Sequence, residues 1–226
     1  MQTRNTEENT AVALRARLRQ ERGELPLSQR SRGALLMRGR LFTWLNVARE
    51  RAQAQGRRLQ TIAAYWPMND EPDLRPLLEQ WVEEAGLTVC LPVVRERDAA
   101  LVFRPWTPDT PMEPGAYGIE APTGDTEVVP DVVLVPTLGY TPEADRLGYG
   151  GGYYDRTLAA LNQAGHPYIA IGIAWEEGLL PEDYQPAPHD VQLAAVLTPA
   201  GWVPTAPLET GGAAAGSAKV FSHTLR

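Results

Sequence analysis

A three-layer α/β fold, with a mostly parallel central sheet flanked by helices in a single domain, is predicted by three features of the 226-residue sequence. Two apolar runs of strand length, TIAAYW (61–66) and LTVCLPVV (87–94), enclose a helix-like segment carrying Leu74, Leu77, Leu78, Trp81 and Val82. The same strand–helix–strand order recurs over 132–135, 153–164 and 168–174. Short connections between such elements imply parallel βαβ units with right-handed crossovers.

In chain order, residues 1–9 are polar and are expected to be disordered. Thr10 is placed to cap a first helix, with Leu14 and Leu18 at i, i+4 spacing. After Pro26, Ser28 is placed to cap a longer second helix carrying Leu35, Leu36, Leu41, Trp44, Leu45 and Val47, and Gly56 can end it. Asp73 suits the cap of the helix that follows the first strand. LVFRPW (101–106) reads as a further strand, and the Pro- and Gly-containing stretch 107–130 as a long ordered surface loop. LAAVLT (193–198) is the last expected strand. From about Pro204 onward the pattern fades, so 204–226 reads as a flexible tail beyond a domain over 10–203.

Composition is that of an ordinary globular protein, 43% hydrophobic and 22% charged. No apolar run approaches the roughly 18 to 20 residues that span a bilayer, and the N-terminus lacks the apolar core of a secretory signal. The single cysteine, Cys90, lies in an apolar run and reads as a small buried hydrophobe. A cytoplasmic monomer without membrane association is expected. The net charge of −7 is unevenly spread: residues 1–58 hold 13 Arg and 5 Glu, a surplus of +8, against −15 for the remainder. A basic helical region on an acidic body suits an anionic ligand, nucleotide or nucleic acid, although a solvated arginine face explains the charge equally.

The candidate chemistry centres on 131–156, DVVLVPTLGYTPEADRLGYGGGYYDR. A strand, four glycines within five residues (Gly148, Gly150, Gly151, Gly152) and a helix start make a device for holding phosphate. The loop is neither a Walker A motif nor G-x-G-x-x-G, and a tight packing turn accounts for its glycines as well. Asp155, in the first turn, can cap the helix or hold Mg²⁺ beside a phosphate. Arg146 can meet a phosphate oxygen or a surface carboxylate. Arg15 and Arg19 share one helix face and can close on one anion. In the polar cluster Asn69, Asp70, Glu71, the last suits the N–H groups of a heterocycle, and His189 suits acid–base work or a backbone hydrogen bond. Tyr149, Tyr153, Tyr154, Trp66 and Trp106 can stack on a flat ring or simply pack. One Cys and three scattered His give no zinc spacing.

RLGYGGGYYDR at 146–156 resembles the signature of the 5-formyltetrahydrofolate cyclo-ligase family. The resemblance spans about residues 14–203. It includes the arginine-rich first helix, YWPMNDEPDLRPLL, VPTLGY and HDVQLAAVLT. It implies an ATP- and Mg²⁺-dependent enzyme that closes 5-formyltetrahydrofolate, with or without a polyglutamate tail, to the 5,10-methenyl form. It implies that Arg15 and Arg19 bind phosphate, and that Arg146, Leu147, Gly148, Tyr149, Gly150, Gly151, Gly152, Tyr153 and Tyr154 cradle ATP. Tyr149 to Tyr153 would also border the folate, contacted by Trp66 and Glu71, with Asp155 and Asp190 as the Mg²⁺ carboxylates and Arg146, Tyr153 and Asp155 at the chemistry. The family commonly has Lys at the place of Arg15 and Asp and Gly at those of Thr141 and Ala144, and some members have Lys at that of Gly151. A sugar-phosphate enzyme on a similar sheet, or a non-catalytic folate- or nucleotide-binding protein, is the alternative. A nucleic-acid role would rest on the basic helices alone.

Overall fold

The apolar runs 132–135 and 169–173 contain no alternation because both of their faces are covered, and they lie side by side in the middle of the sheet. The computed structural model describes residues 2–68 and 70–208, residues 2–10 by backbone alone. Two long helices lead, α1 (Gln2–Glu24) and α2 (Leu27–Ala54). They are followed by β1 (Thr61–Ala63), α3 (Arg75–Glu83), β2 (Thr88–Val93) and β3 (Val102–Trp106). A small hairpin of β4 (Met112–Pro114) and β5 (Glu120–Pro122) precedes β6 (Val132–Pro136). Next come β7 (Gly139–Tyr140), β8 (Arg146–Leu147), α4 (Tyr153–Gln163), β9 (Ile169–Ile173), β10 (Ala195–Leu197) and β11 (Trp202–Val203).

The sheet order is β11-β10-β9-β6-β1-β2-β3. The five inner strands are parallel, and β3 and β11 close the two edges antiparallel. Alternate residues of one strand serve opposite layers. Val132 and Leu134 face the core made with α2 and α3, through Met37, Leu41, Trp44, Leu78 and Trp81. Val133 and Val135 face the layer of Leu158 on α4. This is the three-layer α/β domain that the sequence predicts. Cys90 is fully buried on β2, where burial pushes its thiol well above the usual range.

Local readings are corrected in five places. Helix α1 begins at Gln2, so Thr10 stands inside it, and residues 2–9 are helical rather than disordered: no Gly or Pro interrupts them. Ser28 likewise lies inside α2, whose N-cap is Pro26. Leu35, Leu36 and Val47 are exposed, because the buried face of α2 is built on Gly33, Ala34, Met37, Ala48 and Ala52 together with Leu41, Trp44 and Leu45. Asp73 stands one residue before the N-cap Leu74, and its carboxylate accepts from the Arg75 amide at 3.0 Å. The stretch 107–130 is more than a loop: β4 and β5 turn about Tyr117, at φ +59°, and Gly118. Most of the expected tail, and Asn69, lie outside the described residues. The start of that tail packs: the Trp44 indole N–H donates to the Pro207 carbonyl at 2.5 Å. No described helix is long and apolar enough to cross a membrane.

Gly172 on β9 shows how closely the centre is built. A Cβ there would stand 2.8 Å from both Leu193 Cδ1 and Thr137 Oγ1. Gly172→Ala is therefore expected to cost about 1–3 kcal/mol by overpacking, read as a lower urea midpoint.

Candidate active site

Where β6 ends, the chain makes the short β7–β8 ladder and returns as the glycine loop to α4. The turn between β7 and β8 is held by Thr141, whose hydroxyl accepts the Asp145 amide at 3.1 Å and donates to the Asp145 carboxylate at 3.2 Å. Ala144 sits in that turn at φ +67° and is fully buried, a conformation in which glycine carries no Cβ strain. Gly150 (φ +96°) and Gly152 (φ +64°) take positive φ at no Cβ cost, and Gly152 is the uncapped N-cap of α4. A Cβ on Gly148 would come within 2.7 Å of Arg146 Nη1, so its absence lets that side chain fold beneath the loop.

Helix α1 crosses this loop. Arg15 Nε donates to the Gly148 carbonyl at 2.9 Å, and Arg19 Nη2 reaches the Tyr149 carbonyl at 3.4 Å. Leu18, between them, packs with Leu138, Leu147 and Leu180. Both arginines and the loop line one cleft of about 720 Å³, which also takes in Trp66, Glu71, Asp155 and Asp190. Every residue that the resemblance assigns to binding or chemistry therefore borders a single cavity, whereas Trp106 and Asp70 do not line it.

Asp155 does not cap α4. Its carboxylate is turned to Arg146 Nη2 in a buried ion pair, and Oδ1 also accepts the Val191 amide at 3.2 Å. Arg146 is accordingly a buried group, 6% exposed, rather than a surface ion-pair partner. The bond to Val191 brings the neighbouring Asp190 to the same wall. Asp190 Oδ2 accepts the Ala187 amide at 2.8 Å, and its Oδ1 lies 3.7 Å from His189 Nε2. Burial, with Glu143 and Asp190 nearby, raises the Asp145 carboxyl above its usual range. Among the described residues no group of three or more His, Cys, Asp or Glu could hold a metal by itself.

The cleft lining is also aromatic and acidic. The rings of Trp66 and Trp106 meet at 5.9 Å, tilted by 59°, and the Arg75 guanidinium lies 5.5 Å from the Trp66 ring centroid. Glu71 is 8% exposed; its Oε2 accepts the Met68 amide at 2.8 Å and its Oε1 the Tyr149 hydroxyl at 2.6 Å. Burial is the chief influence and raises the Glu71 carboxyl above its ordinary value. Burial, with Glu71 next, also holds the Tyr149 and Tyr154 phenols well above theirs, so both stay protonated donors.

Sequence reasoning missed three contributors. Arg22, one helical turn beyond Arg19, donates to the Tyr149 hydroxyl at 2.6 Å; the i, i+4, i+7 spacing of 15, 19 and 22 is the signal that marks it. Arg156 braces the loop, donating to the Gly151 carbonyl at 2.6 Å with its guanidinium 5.1 Å from the Tyr153 ring centroid. Tyr117 reaches in from the β4–β5 hairpin, its hydroxyl 3.0 Å from that of Tyr153.

The profile of the 5-formyltetrahydrofolate cyclo-ligase family matches residues 7–199. A 5-formyltetrahydrofolate cyclo-ligase of Mycolicibacterium smegmatis is 34% identical over 196 residues, 82% of this chain and 92% of that protein. Two solved structures share the fold. A 5,10-methenyltetrahydrofolate synthetase from Mycoplasma pneumoniae has a TM-score of 0.64 at 23% identity, covering 84% of this chain and 98% of its own. One from Aquifex aeolicus has a TM-score of 0.65 at 24% identity, covering 89% and 94%.

Proposed function

The chain belongs to the 5-formyltetrahydrofolate cyclo-ligase family, whose members convert 5-formyltetrahydrofolate with ATP to 5,10-methenyltetrahydrofolate, and we propose that the cleft between α1 and the glycine loop is where it does so. One observation carries this reading. Two arginines of α1 face a glycine loop at a helix N-terminus, and the same cavity is lined by Trp66 and by Glu71, which the Tyr149 hydroxyl ties to that loop. The arginines and the loop suit a triphosphate, and Glu71 with Trp66 a flat ring with N–H donors.

The chemical difficulty is that an amide oxygen leaves poorly and phosphate leaves well. The formyl oxygen attacks the γ-phosphorus and the bond to ADP breaks. N10 then attacks the formyl carbon and loses its proton, and phosphate departs with the electrons of the C–O bond. The protein's part is placement and charge neutralisation. Arg15 and Arg19 hold phosphate oxygens, and the loop from Arg146 to Tyr154 supplies backbone N–H groups. Arg146 and Tyr153 stand at the transferred group, and Glu71 and Trp66 hold the pterin.

Magnesium fits the donor set. It takes one or two protein carboxylates and completes its shell with water and phosphate oxygens, so a cluster of three side chains is not needed. Asp155 and Asp190, joined to one wall through the Val191 amide, would hold it. When bound it would neutralise phosphate charge. We further assign the domain to 10–203 and place the protein as a cytoplasmic monomer that accepts folate with or without a polyglutamate tail. The basic first helices then serve ATP, with no nucleic acid or membrane involved.

Purified protein with ATP, Mg²⁺ and 5-formyltetrahydrofolate is expected to develop the absorbance of the methenyl product with matching release of ADP. Folate binding without product or ADP would instead identify a non-catalytic binder. Arg19→Ala is expected to raise the KM for ATP about 10- to 100-fold, the loss of a charge-assisted hydrogen bond of roughly 1.5–3 kcal/mol, and that for folate far less. Equal effects on the two would sink the phosphate role.

A further inference from the structure

We infer that Arg22, acting through Tyr149, is a positioning residue that orients Glu71 and keeps it an acceptor for the N–H groups of the pterin; this rests on the folate reading of the cleft. Arg22 is 9% exposed and Glu71 8%, and between them stands the Tyr149 phenol. The Arg22 Nη1 group donates to the phenol oxygen at 2.6 Å, and the phenol donates to Glu71 Oε1 at 2.6 Å. The cation polarises the hydroxyl and strengthens its donation, as in any hydrogen-bonded chain within a low dielectric. Both guanidinium groups also lie against the ring, Arg22 5.5 Å and Arg19 5.7 Å from its centroid. Tyr149 has a glycine on either side, so the loop backbone gives it little rigidity of its own.

A carboxylate this enclosed is expensive unless its charge is met. The groups facing Glu71 are the Met68 amide, the Tyr149 hydroxyl, Arg22 on α1, and the phenols of Tyr65 and Tyr154, both held protonated chiefly by burial. Burial pushes the Glu71 carboxyl up. The Met68 amide, the Tyr149 hydroxyl and the Arg22 charge pull it down, in that order. Without Tyr149 or Arg22, burial acts with less opposition, and Glu71 takes up a proton at higher pH. A protonated carboxyl cannot accept from two parallel N–H donors of a heterocycle edge.

The test is the pH profile of kcat/KM for 5-formyltetrahydrofolate at saturating ATP and Mg²⁺ in wild type, Arg22→Met, Arg22→Lys and Tyr149→Phe. The acid limb is expected to move up by about one pH unit in Arg22→Met and Tyr149→Phe, a tenfold loss on its acid side. Arg22→Lys, which keeps the charge, is expected to retain most of the wild-type limb, and in both Arg22 variants the KM for ATP is expected to change far less than that for folate. Tyr149→Phe preserves the packing and serves if Arg22→Met does not fold. An unmoved limb in Tyr149→Phe, or KM values for ATP and folate that rise together, would overturn the inference. Wild type that neither binds folate nor turns it over would instead overturn the functional reading, and the inference with it.

Discussion

Asp155→Ala is expected to abolish formation of the methenyl product, with kcat falling by roughly two to four orders of magnitude. The substitution removes two things together. One is a carboxylate assigned to the metal beside the phosphates. The other is the partner of Arg146, whose side chain is 5% exposed against 14% for Asp155. Removing one half of a buried pair leaves an uncompensated charge and costs about 3–5 kcal/mol. The fold should therefore weaken as well, visible as a lower urea midpoint. Asp155→Asn separates the effects: it keeps the shape and an acceptor for the Val191 amide, so it should recover part of the stability while remaining inactive. Asp155→Asn with near-wild-type kcat would remove this residue from the chemistry.

Glu71→Gln is expected to raise the KM for 5-formyltetrahydrofolate about 10- to 100-fold while that for ATP changes little, since charged hydrogen bonds are worth about 1.5–3 kcal/mol. The residue also gives the protein opposing pH responses. Burial lifts its carboxyl above the usual 4.5. Between that value and the raised one, the folded chain binds more protons than the unfolded chain. Stability from this group therefore rises as pH falls through the window and is lost as pH rises through the folded value. Folate affinity is expected to run the other way, because the protonated acid is the poorer acceptor. Glu71→Gln should flatten both responses. A wild-type KM for folate in Glu71→Gln would exclude the pterin role.

The parallel sheet was legible because runs such as 132–135 and 169–173 are apolar throughout, the pattern of strands covered on both faces. The glycine loop was legible because its composition has few uses. What escaped did so for physical reasons. The buried face of α2 runs over Gly33, Ala34, Ala48 and Ala52, because a Cβ at Gly33 would lie 2.7 Å from the Trp175 ring; a search for large apolar residues finds Leu35 and Leu36 on the wrong side. The β4–β5 hairpin has three-residue strands carrying Glu113 and Glu120, too short and polar to show a period. Arg22 differs from Arg17 by nothing in composition. Arg17 meets Glu21 at 3.5 Å on the surface, and only the phase of the helix turns Arg22 inward. Ala144 is the reverse case: the glycine common in the family has its explanation in a left-handed turn visible only in the backbone.

Helix α1 is a wall tied to the body by one small apolar cluster and by its arginines. From Ala11 to Glu24 only Leu18 and Arg22 are buried, and its ties to the loop run through three arginines at sequence separations of 127 to 133. Its detachment would uncover the small cluster of Leu18 with Leu138, Leu147 and Leu180, apart from the two larger cores on the sheet. The anion that Arg15 and Arg19 would grip is then also the cross-link that completes the tertiary structure.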